Sequence, residues 1–316
     1  MRYLVSSTFA LVLMLSALAR AEEWEHTYPV TGVPDIVVDA NDGDVEVTIG
    51  SSQQVEARVI THGWKINDDL RIEANGTQNR VELRLHRNNK GCFGFCFQSI
   101  HVQLRVPRES NLNLHSGDGD IRVESVRGNH HIETNDGNIR LHDLEGSVRA
   151  DTHDGNVNVT GRFDLLELRT GDGDIDAEVS ESSAPKPGWT FRSGDGNVRL
   201  RLPDDFRADL SAQTGDGNIR VAFPIDASEL KSEHALRAKI NGGGIPLELH
   251  TGDGDIRLEK MCPLGGHRAG RIAFRSQPAT SIRQAPSFLS ESFCIILSMR
   301  VTDVATRLLS STCVEL

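Results

Sequence analysis

Ser116-Gly-Asp-Gly-Asp-Ile121 recurs as Thr134-Asn-Asp-Gly-Asn-Ile139, Thr152-His-Asp-Gly-Asn-Val157 and Thr170-Gly-Asp-Gly-Asp-Ile175. Three more copies follow at Ser193-Gly-Asp-Gly-Asn-Val198, Thr214-Gly-Asp-Gly-Asn-Ile219 and Thr251-Gly-Asp-Gly-Asp-Ile256, and a weaker one, Ala40-Asn-Asp-Gly-Asp-Val45, lies far upstream. Asp118, Asp136, Asp154 and Asp172 are spaced by 18 residues, and the steps to Asp195, Asp216 and Asp253 are 23, 21 and 37, the last close to two coils. A fixed period of this length belongs to stacked coils, each burying one face against the next, and not to one central core.

The copies align into apolar columns. Ile121, Ile139, Val157 and Ile175 form one, and Val123, Leu141, Val159 and Ala177 form another two residues later. A second strand contributes Ile132, Ala150 and Leu168, followed by the hydroxyls of Thr134, Thr152 and Thr170. Alternation with period two turns one face of each short strand inward. Eighteen residues extended at about 3.3 Å each give a contour of about 60 Å, one flattened turn of a parallel solenoid whose coils stack at about 4.8 Å.

The turn has its own chemistry. The candidate turn residues are Asp118 with Gly119, Asp136 with Gly137, Asp154 with Gly155, Asp172 with Gly173, Asp195 with Gly196, Asp216 with Gly217 and Asp253 with Gly254. Glycine at the corner is expected to supply a positive φ. The Asp before it is expected to bond its own turn's amides. The Ser or Thr two residues before that Asp should form a ladder of hydroxyls serving the corner backbone. Arg162 stands where Val126 and Leu144 predict an apolar side chain, with Phe163 beside it, so a bulge is expected there. Asn241-Gly-Gly-Gly-Ile-Pro246 reads as a degenerate turn before the final coil.

The fold class is all-β: an antiparallel region over 22–107, then a parallel, right-handed solenoid over 108–260. In the first part Asp44–Ile49, Val55–Val59 and Val81–Leu85 alternate, with a tight turn expected at Asn75-Gly76 and a boundary at Pro107. Residues 1–21 read as a secretory signal: Arg2, the apolar run Leu4–Leu18, then Ala19-Arg20-Ala21. The chain is thus expected to be exported to the periplasm, cell surface or medium, with no membrane span after cleavage. In an oxidising compartment Cys92 and Cys96 could close a small loop as a disulfide. The alternative is half a metal site, but no second Cys/His pair with ligand spacing follows. Residues 261–316 hold six Arg against three acids and lack the turn, which suggests a disordered or artefactual tail. A tail that does not pack would leave the coil of Ile256 and Leu258 as an exposed strand edge.

A net charge of −11 argues against nucleic acid as a partner, and an aromatic content of 5% against large stacking platforms for sugars or bases. The Asp columns invite a calcium reading. However, calcium-binding β-rolls place a spacer on each side of the ligand Asp. The second column here reads Asp120, Asn138, Asn156, Asp174, Asn197, Asn218 and Asp255, losing the charge at four of seven places. Like charges at the coil spacing repel by about 0.9 kcal/mol in water, which a charge-assisted bond to a backbone amide would offset. No metal and no cofactor is expected. His115, His142 and His153 are isolated on polar positions, and no nucleophile elbow, metalloprotease or phosphate-loop motif occurs. The chain therefore reads as a non-enzyme with an envelope or extracellular partner. A carbohydrate-active β-helix enzyme and a calcium-stabilised surface repeat are the alternatives.

The exported start, Ala40-Asn-Asp-Gly-Asp-Val-Glu-Val47, Val102-Gln-Leu-Arg-Val-Pro107 and the serial turns resemble the bacterial putative-adhesin family DUF4097 over roughly residues 22–259. The resemblance implies a β-solenoid-like protein outside the cytoplasm and carries no catalytic residues.

Overall fold

The computed structural model describes residues 21–77, 79–88, 98–180, 183, 188–226, 232 and 234–261, and every regular element among them is a strand. The readings made on residues 1–20, on Cys92 and Cys96, and on residues 262–316 lie outside the described residues.

Each Asp-Gly turn joins a strand of one parallel sheet to a strand of a second. Arg127–Thr134 enters the Gly137 turn and Ile139–Asp151 leaves it. Ile132 pairs with Leu114 on one side and Ala150 on the other, and Ile139 with Ile121 and Val157. The 18-residue phase is therefore the stacking register. Both apolar columns fill the space between the sheets, with none of their eight side chains more than 2% exposed. Burying a Val, Leu or Ile contributes about 1.5–3 kcal/mol, so the columns drive the stacking and alternation selects which face is inside.

The edge opposite the Asp-Gly turns is built differently. Ile139–Asp151 and Val157–Arg169, 13 residues each, run from one sheet into the other without a loop. They bend at Gly146 (φ 111°) and Gly161 (φ 150°). The expected bulge is present: Gly146 faces Phe163 while Ser147 faces Leu165, so Asp164 is the extra residue. Phe163 takes the buried place and Arg162 turns outward to Glu145 at 2.9 Å.

The order of coils in space differs from the order in sequence. Val198 pairs with Ile256, and Ile256 pairs on its other side with Ile219. In the second sheet Leu247 lies between Trp189 and Leu210. The last coil is thus inserted between the Gly196 and Gly217 coils, and Ile256 and Leu258 are buried, paired on both sides. This corrects the expected exposed edge at Ile256 and Leu258. The chain reaches the slot by crossing the start of strand Ala208–Gln213, which separates Ala235–Ile240 from Ile245–His250. Asn241-Gly-Gly-Gly244 makes that crossing, with φ of 49°, 88° and 89° at Asn241, Gly242 and Gly243. A Cβ on Gly244 would run into the Arg207 backbone. The segment is a crossover, not a degenerate copy of the turn.

The other end is interleaved in the same way. Asp35–Asp39 lies between Arg80–Arg87 and Asn111–Ser116, and Asp44–Ile49 between Ser99–Val106 and Ile121–Glu124, all parallel. Residues 35–49 are therefore a coil of the stack, and the antiparallel pairing within 22–107 caps it. Glu22–Pro29 pairs with Gln54–His62, which pairs with Ser99–Val106, and Leu70–Thr77 pairs with Arg80–Arg87. Asn75 and Gly76 lie inside this last ladder, facing Glu82 and Val81, so the tight turn falls beyond them. Gly76 is required because the Tyr28 ring lies where its Cβ would be. The apolar interior runs without a break past Pro107, with Val106 and Leu112 in the same core.

Candidate functional site

The Asp-Gly edge is held by two ladders between coils. In the first, each buried hydroxyl serves the turn beside it and, at every repeat but Thr134, its own turn as well. Thr152 Oγ1 accepts from the Gly155 amide at 3.3 Å and donates to the Gly137 carbonyl at 2.9 Å. Ser193, Thr251 and Thr214 reach the carbonyls of Gly173, Gly196 and Gly254 at 2.9, 2.7 and 2.8 Å. In the second, the Oδ1 atom after each turn glycine accepts from the backbone amide of the matching residue one coil on. Asp120 accepts from Asn138 at 2.8 Å, Asn156 from Asp174 at 2.8 Å, Asp174 from Asn197 at 2.7 Å and Asp255 from Asn218 at 2.9 Å. Asp and Asn carry the same acceptor atom, which is why the two alternate freely in this column.

The corner glycines have a different physical basis from the one expected. None of Gly119, Gly137, Gly155, Gly173, Gly196, Gly217 and Gly254 has a positive φ. A Cβ on Gly137 would instead be driven into the Gly119 carbonyl oxygen, on Gly155 into that of Gly137, and on Gly254 into that of Gly196, all far inside 3.0 Å. The glycines are there so that turns can lie on one another.

The Asp preceding each glycine also departs from expectation. Asp118, Asp136, Asp172, Asp195, Asp216 and Asp253 are exposed, and among the described residues their carboxylates make no hydrogen bond to the turn backbone. Asp154 has only His153 Nε2 at 3.7 Å, and in the upstream copy Asp42 meets Arg87 at 2.6 Å. The charge-assisted amide bond expected to offset their repulsion is absent.

A further column lies on the outer face just past the turns. Arg122, Arg140, Asn158, Asp176, Arg199, Arg257 and Arg220 follow one another across the paired strands. Arg140 bends back onto Asp120 at 2.6 Å and Arg257 onto Asp255 at 2.8 Å. Partial burial opposes ionisation of Asp120, but its bonds from Arg140 and Asn138 hold the carboxyl below the usual carboxylate range. The Asn218 amide, with Arg257, does the same for Asp255. Where the column changes from Arg to the short Asn158 and Asp176, a groove of about 300 Å³ opens across neighbouring coils. Asp176 is gripped by two nitrogens of Arg201 at 2.9 and 3.0 Å.

Sequence reading also missed His130. It sits in a core column between Leu112 and Val148, 3% exposed. Backbone groups of Val126 and Glu145 approach the ring, but neither ring nitrogen completes a hydrogen bond. Burial pushes its pKa down to about 4. The column Leu112, Val148, Leu166 contains the signal, since a residue 18 positions from Leu112 and Val148 must point inward. The isolated histidines behave as surface residues. His142 Nδ1 lies 3.0 Å from Thr160 Oγ1, and His115 is 4.0 Å from Glu133. Among the described residues no group of three or more His, Cys, Asp or Glu side chains is placed to hold a metal ion.

The class this architecture defines is a parallel β-solenoid whose coils stack through one repeated turn. Residues 105–259 match the family model described as Toastrack DUF4097. No curated protein matches this chain. Among solved structures it is similar to a putative adhesin from Bacteroides fragilis NCTC 9343, at 11% identity and a TM-score of 0.42, over 78% of this chain and all of that one. A putative cell adhesion protein from Clostridium sporogenes ATCC 15579 is similar at 13% identity and a TM-score of 0.36, over 76% of this chain and all of that one. A putative lipid binding protein from Parabacteroides distasonis ATCC 8503 is similar at 12% identity and 0.35, over 76% of this chain and 97% of that one. Among the described residues no helix is long and apolar enough to cross a membrane.

Proposed function

We propose that this protein is an exported, non-enzymatic scaffold that works through its outer surface, as an adhesion or interaction module at the cell envelope or outside the cell. The observation that carries the reading is the arrangement of outward groups in columns running along the stack. The carboxylates from Asp118 to Asp216 line the turn edge, and Arg122, Arg140, Arg199, Arg257 and Arg220 line the neighbouring face. Like groups repeated at about 4.8 Å suit an extended, repeating partner better than a single reacting atom. The acids at the groove support the same reading. Asp176 is committed to Arg201 and one oxygen of Asp174 to the ladder, so neither resembles the proton-holding acid that hydrolysis of a glycoside requires. The signal-like residues 1–21 support export.

The test is retention of envelope material on the immobilised full chain, with the same chain incubated with a panel of polysaccharides. The scaffold reading expects retention and intact polysaccharide. Chain cleavage that scales with the amount of protein would replace it with the carbohydrate-active alternative.

A further inference from the structure

We infer that the groove at Asn158 and Asp176 is a subsite for a neutral, hydroxyl-rich polymer, an uncharged polysaccharide strand. The inference rests on the scaffold reading and names what one part of that surface would hold.

The groove exists because the repeat is broken there. Five of the nine members of its column are arginines, Gln103 and Glu46 stand at its far end, and only Asn158 and Asp176 are short. Nothing in the ladders demands the change, because those bonds run through Asn156 and Asp174 beside it. The Asn158 amide has no protein partner among the described residues, so one donor pair and one acceptor face the opening unspent. Arg199 stands 3.7 Å from Asp176 and 3.7 Å from Glu259, beyond hydrogen-bonding distance of both. Its Nε is covered, which leaves the terminal nitrogens as the donors available to a ligand.

The chemistry of the walls selects the class of ligand. With the groups paired to the walls counted, Asp174, Asp176 and Asp255 are balanced by Arg199, Arg201 and Arg257, so the groove has no net charge with which to prefer an ion. The apolar residues beneath it, Ile175 and Val198, are buried in the core, so neither side chain offers a face to a lipid or an aromatic ring. What remains is a set of planar amide, carboxylate and guanidinium groups presenting donors and acceptors side by side. Sugar hydroxyls, each both donor and acceptor, match such a set. The groove lies open across coils instead of closing round a small molecule, which suits a strand passing over it. Without a stacking aromatic each contact is weak, and useful binding would come from several sugars or several copies acting together.

The experiment titrates full-length protein with cellotetraose, and separately with polygalacturonate, following side-chain amide signals by NMR. Asn158→Arg restores the residue that most other coils carry and fills the groove, so its melting temperature should match the wild type. Asn158→Ala empties the position without filling it and serves if the arginine variant misfolds. Cellotetraose should shift the Asn158 and Asn197 amides, and either variant should weaken binding by about tenfold, the loss expected for one well-made hydrogen-bonding contact. No shift with cellotetraose, shifts unaffected by the folded variants, or binding of polygalacturonate alone would overturn the proposal. Failure of cellotetraose to bind a wild-type protein that still retains envelope material would leave the scaffold reading standing while the groove fails. Shortening of the cellotetraose would remove the scaffold reading instead.

Discussion

Two glycine-rich turns in this protein look alike on paper and need glycine for opposite reasons. At the Asp-Gly edge, Gly137 has an ordinary φ, but the Gly119 carbonyl occupies the space its Cβ would need. In the crossover, Gly242 has a φ of 88° and open room around it, the nearest atom to an added Cβ being an Arg207 guanidinium nitrogen at 3.6 Å. The first glycine is required by its neighbour in the stack, the second by the path of its own backbone. The contrast shows that repetition of a residue marks contact between coils, while an isolated Gly run marks a change of route.

The most damaging test of this contrast is Gly137→Val. Two added methyl groups and a Cβ must enter the most crowded line of the fold, and stability should fall by about 3 kcal/mol, at the upper end for overpacking. An unchanged thermal midpoint would mean that the turns do not lie on one another. Between the two edges, the core offers a polar counterpart in His130. Its folded pKa of about 4 lies below the ordinary histidine value of 6.5, so below pH 6.5 the unfolded chain binds the extra proton first. The neutral ring's contribution is complete above pH 6.5 and is lost as the pH falls toward 4, by about 3 kcal/mol at 1.36 kcal/mol per unit. Denaturant midpoints of wild type and His130→Leu across that range should diverge, and parallel curves would place His130 in a solvated site. Gly242→Ala is milder: only the positive φ resists it, and a loss of about 1 kcal/mol is expected. A loss as large as that of Gly137→Val would erase the distinction. The smallest effect belongs to Asp154→Asn. Its carboxylate makes no bond to the turn and sits among like charges, so stability should hold or rise by a few tenths of a kcal/mol in low salt. A clear loss would reveal a structural bond at that carboxylate.

Much of this arrangement could be read from the repeat. Columns 18 residues apart placed Ile121, Ile139 and Val157 in register, and the misfit of Arg162 beside Phe163 marked the bulge. The hydroxyl ladder followed from Thr134, Thr152 and Thr170 recurring at one phase. The interleaving was not legible, and for a physical reason. Each of the seven later coils presents a Ser or Thr hydroxyl, a glycine and an Ile or Val to its neighbour, so the motif cannot say which coil stacks on which. The upstream copy at Asp42-Gly43 was legible as a turn, but its place between two later coils depends on pairing across more than 50 residues. The groove at Asn158 stayed hidden because its short side chains matter only beside arginines brought to them from other coils.

The inserted final coil is the central structural claim, and cysteine pairs at outward positions test it most directly. Adjacent parallel strands hold facing Cα atoms about 4.8 Å apart, within disulfide range, whereas strands two apart are not. Arg199→Cys with Arg257→Cys, and Arg257→Cys with Arg220→Cys, should each oxidise to an intramolecular bridge detectable by peptide mapping, because both are facing pairs. Arg199→Cys with Arg220→Cys should stay unbridged, since the Arg257 strand lies between them. A bridge between positions 199 and 220, with none between 199 and 257, would show the coils stacked in sequence order and contradict the account.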